Sequence, residues 1–248
     1  MRTTRVYVNQ PLSLDQVVQL GEREAHYLGH VMRLRENDPV QVFNGEGGCY
    51  TARVTAVGRR SVSIVPQEFL QQDRESSLHV TLAHGIARGQ HMDYTIQKAV
   101  ELGVTRIVPL FTEHAQVRLS GDRAEQRLAH WRGVAVSACE QCGRNRIPDI
   151  DRPLSLAEWL DMDADGLRLV LQPGAETALP PGDAPPAAVT LLCGPEGGLS
   201  ESDLQSASGH GYRPVSLGPR TLRTETAALA ALTLCQVLWG DMRLHAGP

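Results

Sequence analysis

A glycine-rich turn that follows a short apolar strand is the segment of this sequence best suited to hold a small ligand. It reads Gly194-Pro195-Glu196-Gly197-Gly198 and comes directly after a predicted strand, Val189 to Cys193. Because glycine has no side chain, such a turn at the carboxyl end of a parallel strand lets the backbone approach a ligand closely. The spacing is neither GxGxxG nor GxxxxGK(S/T), so it indicates neither a Rossmann dinucleotide site nor a P-loop. A ligand-binding turn and a purely structural turn both stay open here.

A second strand-to-helix turn carries charged groups. Arg220, Arg223 and Glu225 lie between a predicted strand, Pro214 to Leu217, and the last helix, for which Thr224 is the predicted N-cap. No capping box is expected, because an alanine occupies the third helical position. The two arginines suit an anion, but a surface ion pair with Glu225 explains them equally well.

A third charged segment follows the long predicted helix. Gly143 is expected to end this helix, and Arg144 and Arg146 then project from a turn that Pro148 closes. Two arginines on a fixed turn suit contacts with phosphates or base edges. The alternative is compensation of the negative helix C-terminus, which basic residues provide in any case. Glu140 belongs to the same segment.

Other reactive residues do not form a recognisable site. The five cysteines include one CxxC pair, Cys139 and Cys142, but no second pair or histidine follows at zinc-ligand spacing. His26 and His30 are four residues apart on a predicted helix and have no third ligand, and GxSxG is absent. The sequence therefore predicts no metal site and no serine hydrolase.

The charge is distributed unevenly along the 248 residues, whose net charge is −4. Residues 1–150 carry 18 basic and 16 acidic side chains, a net of +2, whereas residues 151–248 carry a net of −6. Lys98 is the only lysine, so arginine supplies nearly all the positive charge. Arginine suits phosphates, although the base composition of the genome would explain its excess as well. The net charge alone argues against a nucleic-acid partner, but the asymmetry places the surface that suits nucleic acid mostly in the N-terminal part.

The pattern of apolar residues predicts two different regions. Residues 1–70 show short β-rich runs and one short helix, Glu22 to Met32, which favour a small barrel. From Leu78 onward strands alternate with helices, which indicates a mostly parallel sheet covered on both faces. The predicted strands are Val40 to Phe43, Tyr50 to Val57, Ser61 to Val65, Val80 to Ile86, Arg106 to Phe111 and Leu167 to Leu171. The predicted helices are His91 to Gly103, Asp122 to Cys142, Glu201 to Gly209 and Thr224 to Trp239. A long surface loop is expected over Pro173 to Pro186.

No membrane or secretion segment is apparent. The sequence has no apolar run of about 18 residues, and its polar start lacks the apolar centre of a signal peptide. An odd number of scattered cysteines also differs from a secreted disulfide framework. We therefore expect a cytoplasmic protein.

Taken together, these segments resemble the bacterial 16S ribosomal RNA uridine N3-methyltransferases of the SPOUT superfamily. The resemblance spans essentially the whole chain. It is carried by the three motifs above and by four further segments, residues 2–7, 26–34, 73–76 and 96–104. Two positions differ from the usual family pattern, with Gln172 in place of a histidine and His114 in place of an arginine.

The resemblance implies an α/β fold with a feature that periodicity cannot show, a knot. It consists of a small N-terminal PUA-like β-barrel, residues 1–70, and a SPOUT-type parallel sheet with a C-terminal trefoil knot, residues 71–248. Knots are normally excluded from fold predictions, so this feature rests on the family alone. The resemblance also implies a homodimer with the active site near the dimer interface.

The cofactor implied by the family is S-adenosylmethionine, with S-adenosylhomocysteine as product. The loops that would bind it carry these residues: Leu171, Gln172, Pro173, Gly194, Pro195, Glu196, Gly197, Gly198, Leu199, Leu217, Gly218, Arg220, Leu222, Arg223, Thr224 and Ala227. The substrate implied is a uridine of 16S ribosomal RNA, in the assembled small subunit.

Methylation at uridine N3 requires loss of the N3 proton, so groups that stabilise a uracil anion are expected. The candidates are Arg144, Arg146 and Arg223, with Glu225 or Glu140 accepting the proton or orienting the arginines. The arginines expected to bind the RNA backbone are Arg2, Arg5, Arg33, Arg35, Arg53, Arg59 and Arg60. Alternatives are a SPOUT methyltransferase acting on transfer RNA and a non-catalytic RNA-binding protein of the same fold. A nucleotide-binding oxidoreductase would need a fingerprint that the sequence lacks.

Overall fold

The computed structural model describes residues 3–58, 60–115, 120–162, 166–176 and 185–242, which fall into two compact units. The first unit contains the described residues up to Glu75 together with Cys139–Ile147. The second contains Ser76–Ala138 and the described residues from Pro148 onward. The predicted boundary at residue 70 lies slightly before the observed one. Residues 139–147, predicted in the C-terminal domain, belong to the first unit.

The first unit is built on one five-stranded sheet. Its strand order is β1-β3-β4-β5-β2, with β1 and β3 parallel and the other pairs antiparallel. Within the described residues β1 and β2 form the two edges of this sheet, and closure into the predicted small barrel stays a prediction. A short helix, α1, continues as a π-helix over His26–Val31 and confirms the helix predicted there. The elements are β1 Thr4–Tyr7, β2 Val18–Leu20, α1 Glu22–Ala25, β3 Pro39–Phe43, β4 Cys49–Val57 and β5 Val62–Leu70.

Alternation along these strands gives the sheet one apolar face. Val40 and Val42 of β3 and Val54 of β4 are almost completely buried, whereas Gln41 is half-buried and Arg53 is exposed. Successive side chains of a strand point to opposite faces, so the apolar set forms a core on one side and the polar set faces the other side. Leu28 from the π-helix completes this core.

The second unit contains a parallel sheet with the strand order β12-β10-β11-β6-β7-β8, and β9 pairs with β7. All these pairings are parallel, as the alternation of strands and helices predicted. The strands are β6 His79–Gly85, β7 Arg106–Phe111, β8 Asp149–Ile150, β9 Leu154–Ser155, β10 Leu167–Leu171, β11 Ala188–Cys193 and β12 Arg213–Val215. The helices are α2 Gln90–Glu101, α3 Asp122–Cys142, α4 Leu156–Leu160, α5 Glu201–Gly209 and α6 Thr224–Trp239.

Helices cover both faces of this sheet. Ala83 and Leu192 pack in one cluster with residues of α4 and α5, including Trp159. Leu82 and Leu191, one residue earlier in the same strands, are also fully buried and point to the opposite face. Helix α6 contacts β6 and β11 and packs against α2. Burial on both faces explains why these strands read as continuous apolar runs.

Most predicted elements of the second unit are confirmed. The bounds of β7, β10, α3, α5 and α6 are those predicted, while β12 is shorter and ends at Val215. In the first unit β5 extends to Leu70, well beyond the predicted end at Val65. The predicted loop from Pro173 lies largely outside the described residues. None of the described helices is long and apolar enough to cross a membrane.

Candidate active site

A cavity of about 540 Å³ opens where three neighbouring strands of the second unit end. The carboxyl ends of β10, β11 and β12 lie at one edge of the sheet because these strands are adjacent and parallel. Ligands of open α/β sheets bind at this edge. The volume lies in the range of roughly 300–1,000 Å³ that is typical of small-molecule sites.

All sixteen residues that the sequence placed around a cofactor line this cavity. They come from the three loops that follow the strands and from the first turn of α6. The cavity has further lining residues that the sequence analysis did not single out, namely His91, Cys193, Leu204, Val215, Ser216, Thr221 and, in this role, Glu225.

The turn after β11 is tightly packed and depends on its glycines. A Cβ at Gly194 would lie 2.7 Å from the carbonyl carbon of Gly198, so only glycine allows the turn to fold back on itself. Gly198 has a φ of +72°, a conformation that L side chains rarely adopt, and its N–H donates to the Pro195 carbonyl at 2.8 Å. Gly85 at the end of β6 leaves room for Pro195, because its Cβ would lie 2.4 Å from Cδ of that proline.

The hydroxyl of Thr224 connects the glycine turn to the start of α6. It donates to the Gly194 carbonyl and lies 3.2 Å from Nε2 of His84. This position differs from the prediction, because Arg223 rather than Thr224 is the N-cap and Thr224 is the first helical residue. The Thr224 side chain makes tertiary hydrogen bonds in place of a cap. By contrast, the Ser200 side chain does cap α5, in a capping box with Asp203.

His84 is fully buried beside the Thr224 hydroxyl, and its side chain is neutral. Its Nδ1 lies 2.7 Å from the Gly85 carbonyl, and since a carbonyl only accepts, Nδ1 carries the proton, while Nε2 lies 3.2 Å from the Thr224 hydroxyl oxygen. Burial lowers the pKa of His84 below its ordinary value of 6.5. Burial also raises the pKa of the neighbouring Cys193 thiol to about 11, so this thiol is protonated and not a nucleophile near neutral pH.

Charged side chains stand at the rim of the cavity. Glu225 is largely buried, and its Oε1 lies 3.3 Å from Nδ1 of His91. Glu196 accepts a hydrogen bond of 2.8 Å from the backbone N–H of Arg88. Arg220 and Arg223 are exposed, so their guanidinium groups are accessible to a ligand. The rim thus combines a shielded carboxylate with accessible cations.

The two positions that differ from the family pattern also lie at or near the cavity. His114 Nδ1 lies 3.0 Å from the Gly197 carbonyl, so this histidine contacts the glycine turn from outside. Gln172 lines the cavity, and its backbone N–H donates to the Val215 carbonyl at 3.0 Å. Neither difference removes a contact within the glycine turn.

The arginine segment after α3 is part of the first unit. Arg144 is 5 % exposed at its side chain and forms an ion pair of 2.7 Å with Glu75. Glu75 also accepts the backbone N–H groups of Asn145 and Arg146. Arg146 is exposed. The sequence could not show that Arg144 forms an ion pair, because its partner Glu75 lies far away in the chain.

Glu140, the other predicted carboxylate, belongs to the same unit. Its Oε1 accepts the backbone N–H of Tyr7 at 3.1 Å. Burial raises its pKa above the ordinary value. The structure therefore groups Glu140 with Arg144 and Arg146, and groups Glu225 with Arg223.

The arginines predicted to bind RNA have different surroundings. Arg33, Arg35, Arg53 and Arg60 are exposed. Arg53 donates to the Asn37 carbonyl, and Arg60 pairs loosely with Glu22 at 3.7 Å. Arg5 is partly buried within the first unit, and Arg2 and Arg59 lie outside the described residues. In the parts of the chain that the structure covers, no three His, Cys, Asp or Glu side chains cluster as a metal site would require.

The buried His84 predicts a specific pH dependence of stability. The unfolded chain binds a proton to this side chain at a higher pH than the native protein, because burial lowers the native pKa below 6.5. The buried, neutral His84 therefore makes its full contribution to the free energy of unfolding above about pH 6.5, and this contribution is lost as the pH falls below 6.5. We expect His84→Gln to flatten the pH profile of chemical denaturation between about pH 7 and pH 5. The exposed His79 begins the same strand, and His79→Gln should leave the profile unchanged; equal profiles for wild type and His84→Gln would contradict the assignment.

Comparison with known families gives two matches that together span most of the chain. The RNA methyltransferase domain family matches residues 74–236, and the RNA methyltransferase PUA domain family matches residues 20–67. The chain is 32% identical to the ribosomal RNA small subunit methyltransferase E of Buchnera aphidicola subsp. Schizaphis graminum over 97% of this chain and 98% of that relative.

Two solved structures are similar over nearly the whole chain. One is a methyltransferase from Legionella pneumophila in complex with its bound cofactor S-adenosylmethionine, with 36% identity and a TM-score of 0.93 over 98% of this chain and 100% of that one. The other is a ribosomal RNA small subunit methyltransferase E from Neisseria gonorrhoeae bound to S-adenosyl methionine, with 37% identity and a TM-score of 0.91 over the same shares. By these matches, the chain belongs to the RNA methyltransferase family that includes the ribosomal RNA small subunit methyltransferases E.

Proposed function

We propose that this protein transfers a methyl group from S-adenosylmethionine to N3 of a uridine in 16S ribosomal RNA, within the assembled small subunit. The observation that carries the proposal is the cavity at the ends of β10, β11 and β12, with Arg223 and Glu225 at its rim. The names of the relatives and the donor bound to two of them support the reaction class and the RNA substrate.

The residues of the cavity fit S-adenosylmethionine. The glycine turn brings backbone rather than side chains to the cavity wall, and Leu199, Leu217 and Leu222 offer apolar surface for an adenine ring. The carboxylates of Glu196 and Glu225 suit a positively charged ligand. We assign donor binding to the sixteen lining residues predicted from the sequence, with S-adenosylhomocysteine as the product. When bound, the donor supplies an electrophilic methyl group on a positively charged sulfur.

The side chains at the rim provide what the uracil ring needs. Neutral N3 carries a proton, so the base becomes nucleophilic only as that proton leaves. In our proposal the Glu225 carboxylate accepts it, with His91 holding the carboxylate at 3.3 Å. Arg223 stabilises the negative charge that then spreads onto the uracil oxygens. The methyl group forms its bond to N3 as its bond to sulfur breaks, and the proton remains on Glu225 until it passes to solvent.

The charged residues at the end of α3 and just after it have a supporting role in this proposal. Arg146 is exposed and available to RNA, whereas Arg144 and Glu140 are engaged within the first unit and hold the turn that presents it. The exposed Arg33, Arg35, Arg53 and Arg60 bind the phosphate backbone. N3 takes part in base pairing, so the target uridine must be unpaired or extruded.

Three further features belong to the proposal. A trefoil knot would bring the loops after β10, β11 and β12 together, and these three loops do line one cavity. A homodimer would cover the outer face of α6, where Leu234 and Leu238 are each about 40% exposed. A cytoplasmic location fits a substrate that is part of the ribosome and five cysteines that form no disulfide.

Methylation of isolated RNA substrates tests the function directly. Purified protein with labelled S-adenosylmethionine should modify isolated small ribosomal subunits, and nucleoside analysis of their 16S RNA should give 3-methyluridine. Label confined to transfer RNA would favour the alternative enzyme of the same superfamily. Failure to bind the donor by calorimetry would favour a non-catalytic RNA-binding protein.

The glycine turn gives a test of donor binding. We expect Gly194→Ala to weaken binding of S-adenosylmethionine by about tenfold or more, because the added Cβ meets the Gly198 backbone and displaces the turn. Gly209→Ala is the matched control, since a Cβ at that helical glycine meets nothing within 4 Å. Calorimetry measures both variants, and an unchanged affinity in Gly194→Ala would show that the turn is only structural.

The proposed proton acceptor gives a separate test. We expect Glu225→Gln to lower kcat for methylation by about 10²-fold or more, because the amide cannot accept the N3 proton. The affinity for the donor should fall by a much smaller factor, since the amide keeps the size of the side chain and Glu196 still supplies a negative charge. Glu201→Gln, at an exposed carboxylate outside the cavity, serves as the control. Full activity in Glu225→Gln would rule this residue out as the acceptor.

A further inference from the structure

A second concavity, of about 360 Å³, lies entirely within the first unit. We refer to it as the arginine–glutamine groove. It contains two cations and several neutral polar groups, and no carboxylate lines it. The lining residues are Thr3, Arg5, Pro39, Val40, Gln41, Thr51, Gln72, Arg74, Gln141, Cys142 and Gly143.

The strand register explains why polar side chains line this groove. Arg5 of β1 pairs with Gln41 of β3, and Gln41 pairs with Thr51 of β4. These three side chains therefore point to the same face of the sheet, opposite to the face that carries the apolar core. Two segments from outside the sheet, residues 72–74 and 141–143, complete the lining.

Arg5 keeps its positive charge in this groove. Its guanidinium donates to Gln41 Oε1 at 2.6 Å, to Asn145 Oδ1 at 2.8 Å and to the Arg144 carbonyl at 3.0 Å, all of which are neutral acceptors. Its Nε is buried and has no hydrogen-bond partner among the described residues. The charge of Glu140 acts on Arg5, but no carboxylate forms an ion pair with its guanidinium among the described residues, so a further anion would be attracted to it.

Arg74 adds an accessible cation on the groove wall. The side chain is exposed, and it forms no ion pair within the described parts of the chain. It lies over Gly143, where a Cβ would come within 3.2 Å of Cδ of Arg74. Of the neighbouring carboxylates, Glu75 forms an ion pair with Arg144, and Asp73 accepts the N–H of Glu75 and does not line the groove. The walls of the groove therefore carry two positive charges and no negative one.

We propose that the arginine–glutamine groove binds a single-stranded segment of the RNA substrate. Arg74 contacts a backbone phosphate, Arg5 supplies the fixed positive field, and the amides of Gln41 and Gln72 contact sugar or base edges. This inference rests on the proposed function, since it assigns a binding surface to the same substrate. It adds Arg74, Gln41 and Gln72 to the residues expected to contact RNA. The sequence predictions did not include these three.

RNA affinity of groove variants tests this assignment. The probe is a fluorescently labelled single-stranded oligouridine, and anisotropy gives the Kd as a function of salt. We expect Arg74→Ala and Gln72→Glu each to raise the Kd about tenfold, and Arg74→Ala to reduce the slope of log Kd against log salt by about one. Gln72→Glu adds a charge at constant size, so its effect does not depend on packing. Arg74→Lys should keep the wild-type slope.

The controls separate this site from the catalytic proposal. Arg123→Ala removes an exposed arginine of α3 that lines neither concavity and should leave the Kd unchanged. Wild-type affinity and slope in both groove variants, or an equal loss in Arg123→Ala, would overturn the assignment of the groove. Donor binding and methylation by the wild type are measured in parallel. Their absence, together with groove-dependent RNA binding, would overturn only the proposed reaction.

Discussion

The cavity depends on the hydroxyl group of Thr224, which connects the glycine turn to α6. This group donates its single proton to the Gly194 carbonyl, and its oxygen lies 3.2 Å from Nε2 of the buried His84. Three parallel strands bring their loops to one edge of the sheet, but this hydrogen bond fixes the distance between the glycine turn and α6. A buried hydroxyl left without such partners would be costly, so the two loops hold each other in place. The position of the rim charges follows from that connection.

The sequence predicted elements whose periodicity extends over many residues. Helix α3 and helix α6 were recognised with their observed bounds, because an amphipathic or apolar pattern over several turns is hard to mistake. Strands β8 and β9 contain two residues each and cannot show a period at all. The N-cap of α6 was misplaced by one residue for a different reason. Thr224 suits a cap by residue type, and only the fold reveals that its hydroxyl is needed by Gly194.

The charged residues show a sharper limit of prediction from sequence. The cofactor candidates came from the family resemblance, and they line one cavity because loops after neighbouring parallel strands meet at one edge of the sheet. Residue type and spacing could not distinguish an exposed arginine from one that forms an ion pair. Arg144 forms an ion pair with Glu75, whereas Arg74, which was not among the predicted RNA contacts, forms no ion pair in the described chain. His91 was missed likewise, because its proximity to Glu225 arises only when α2 and α6 pack together.

The first unit is made from two distant stretches of the chain. Glu75 accepts hydrogen bonds from the backbone N–H groups of Asn145 and Arg146. Arg5 donates hydrogen bonds to the Arg144 carbonyl and to Oδ1 of Asn145. During synthesis these partners leave the ribosome only after α3 has emerged, more than half of the way through translation. Domains generally fold as units as the chain emerges. The N-terminal sheet therefore lacks the contacts of Arg5 and Glu75 with residues 144–146 until that segment has been synthesised.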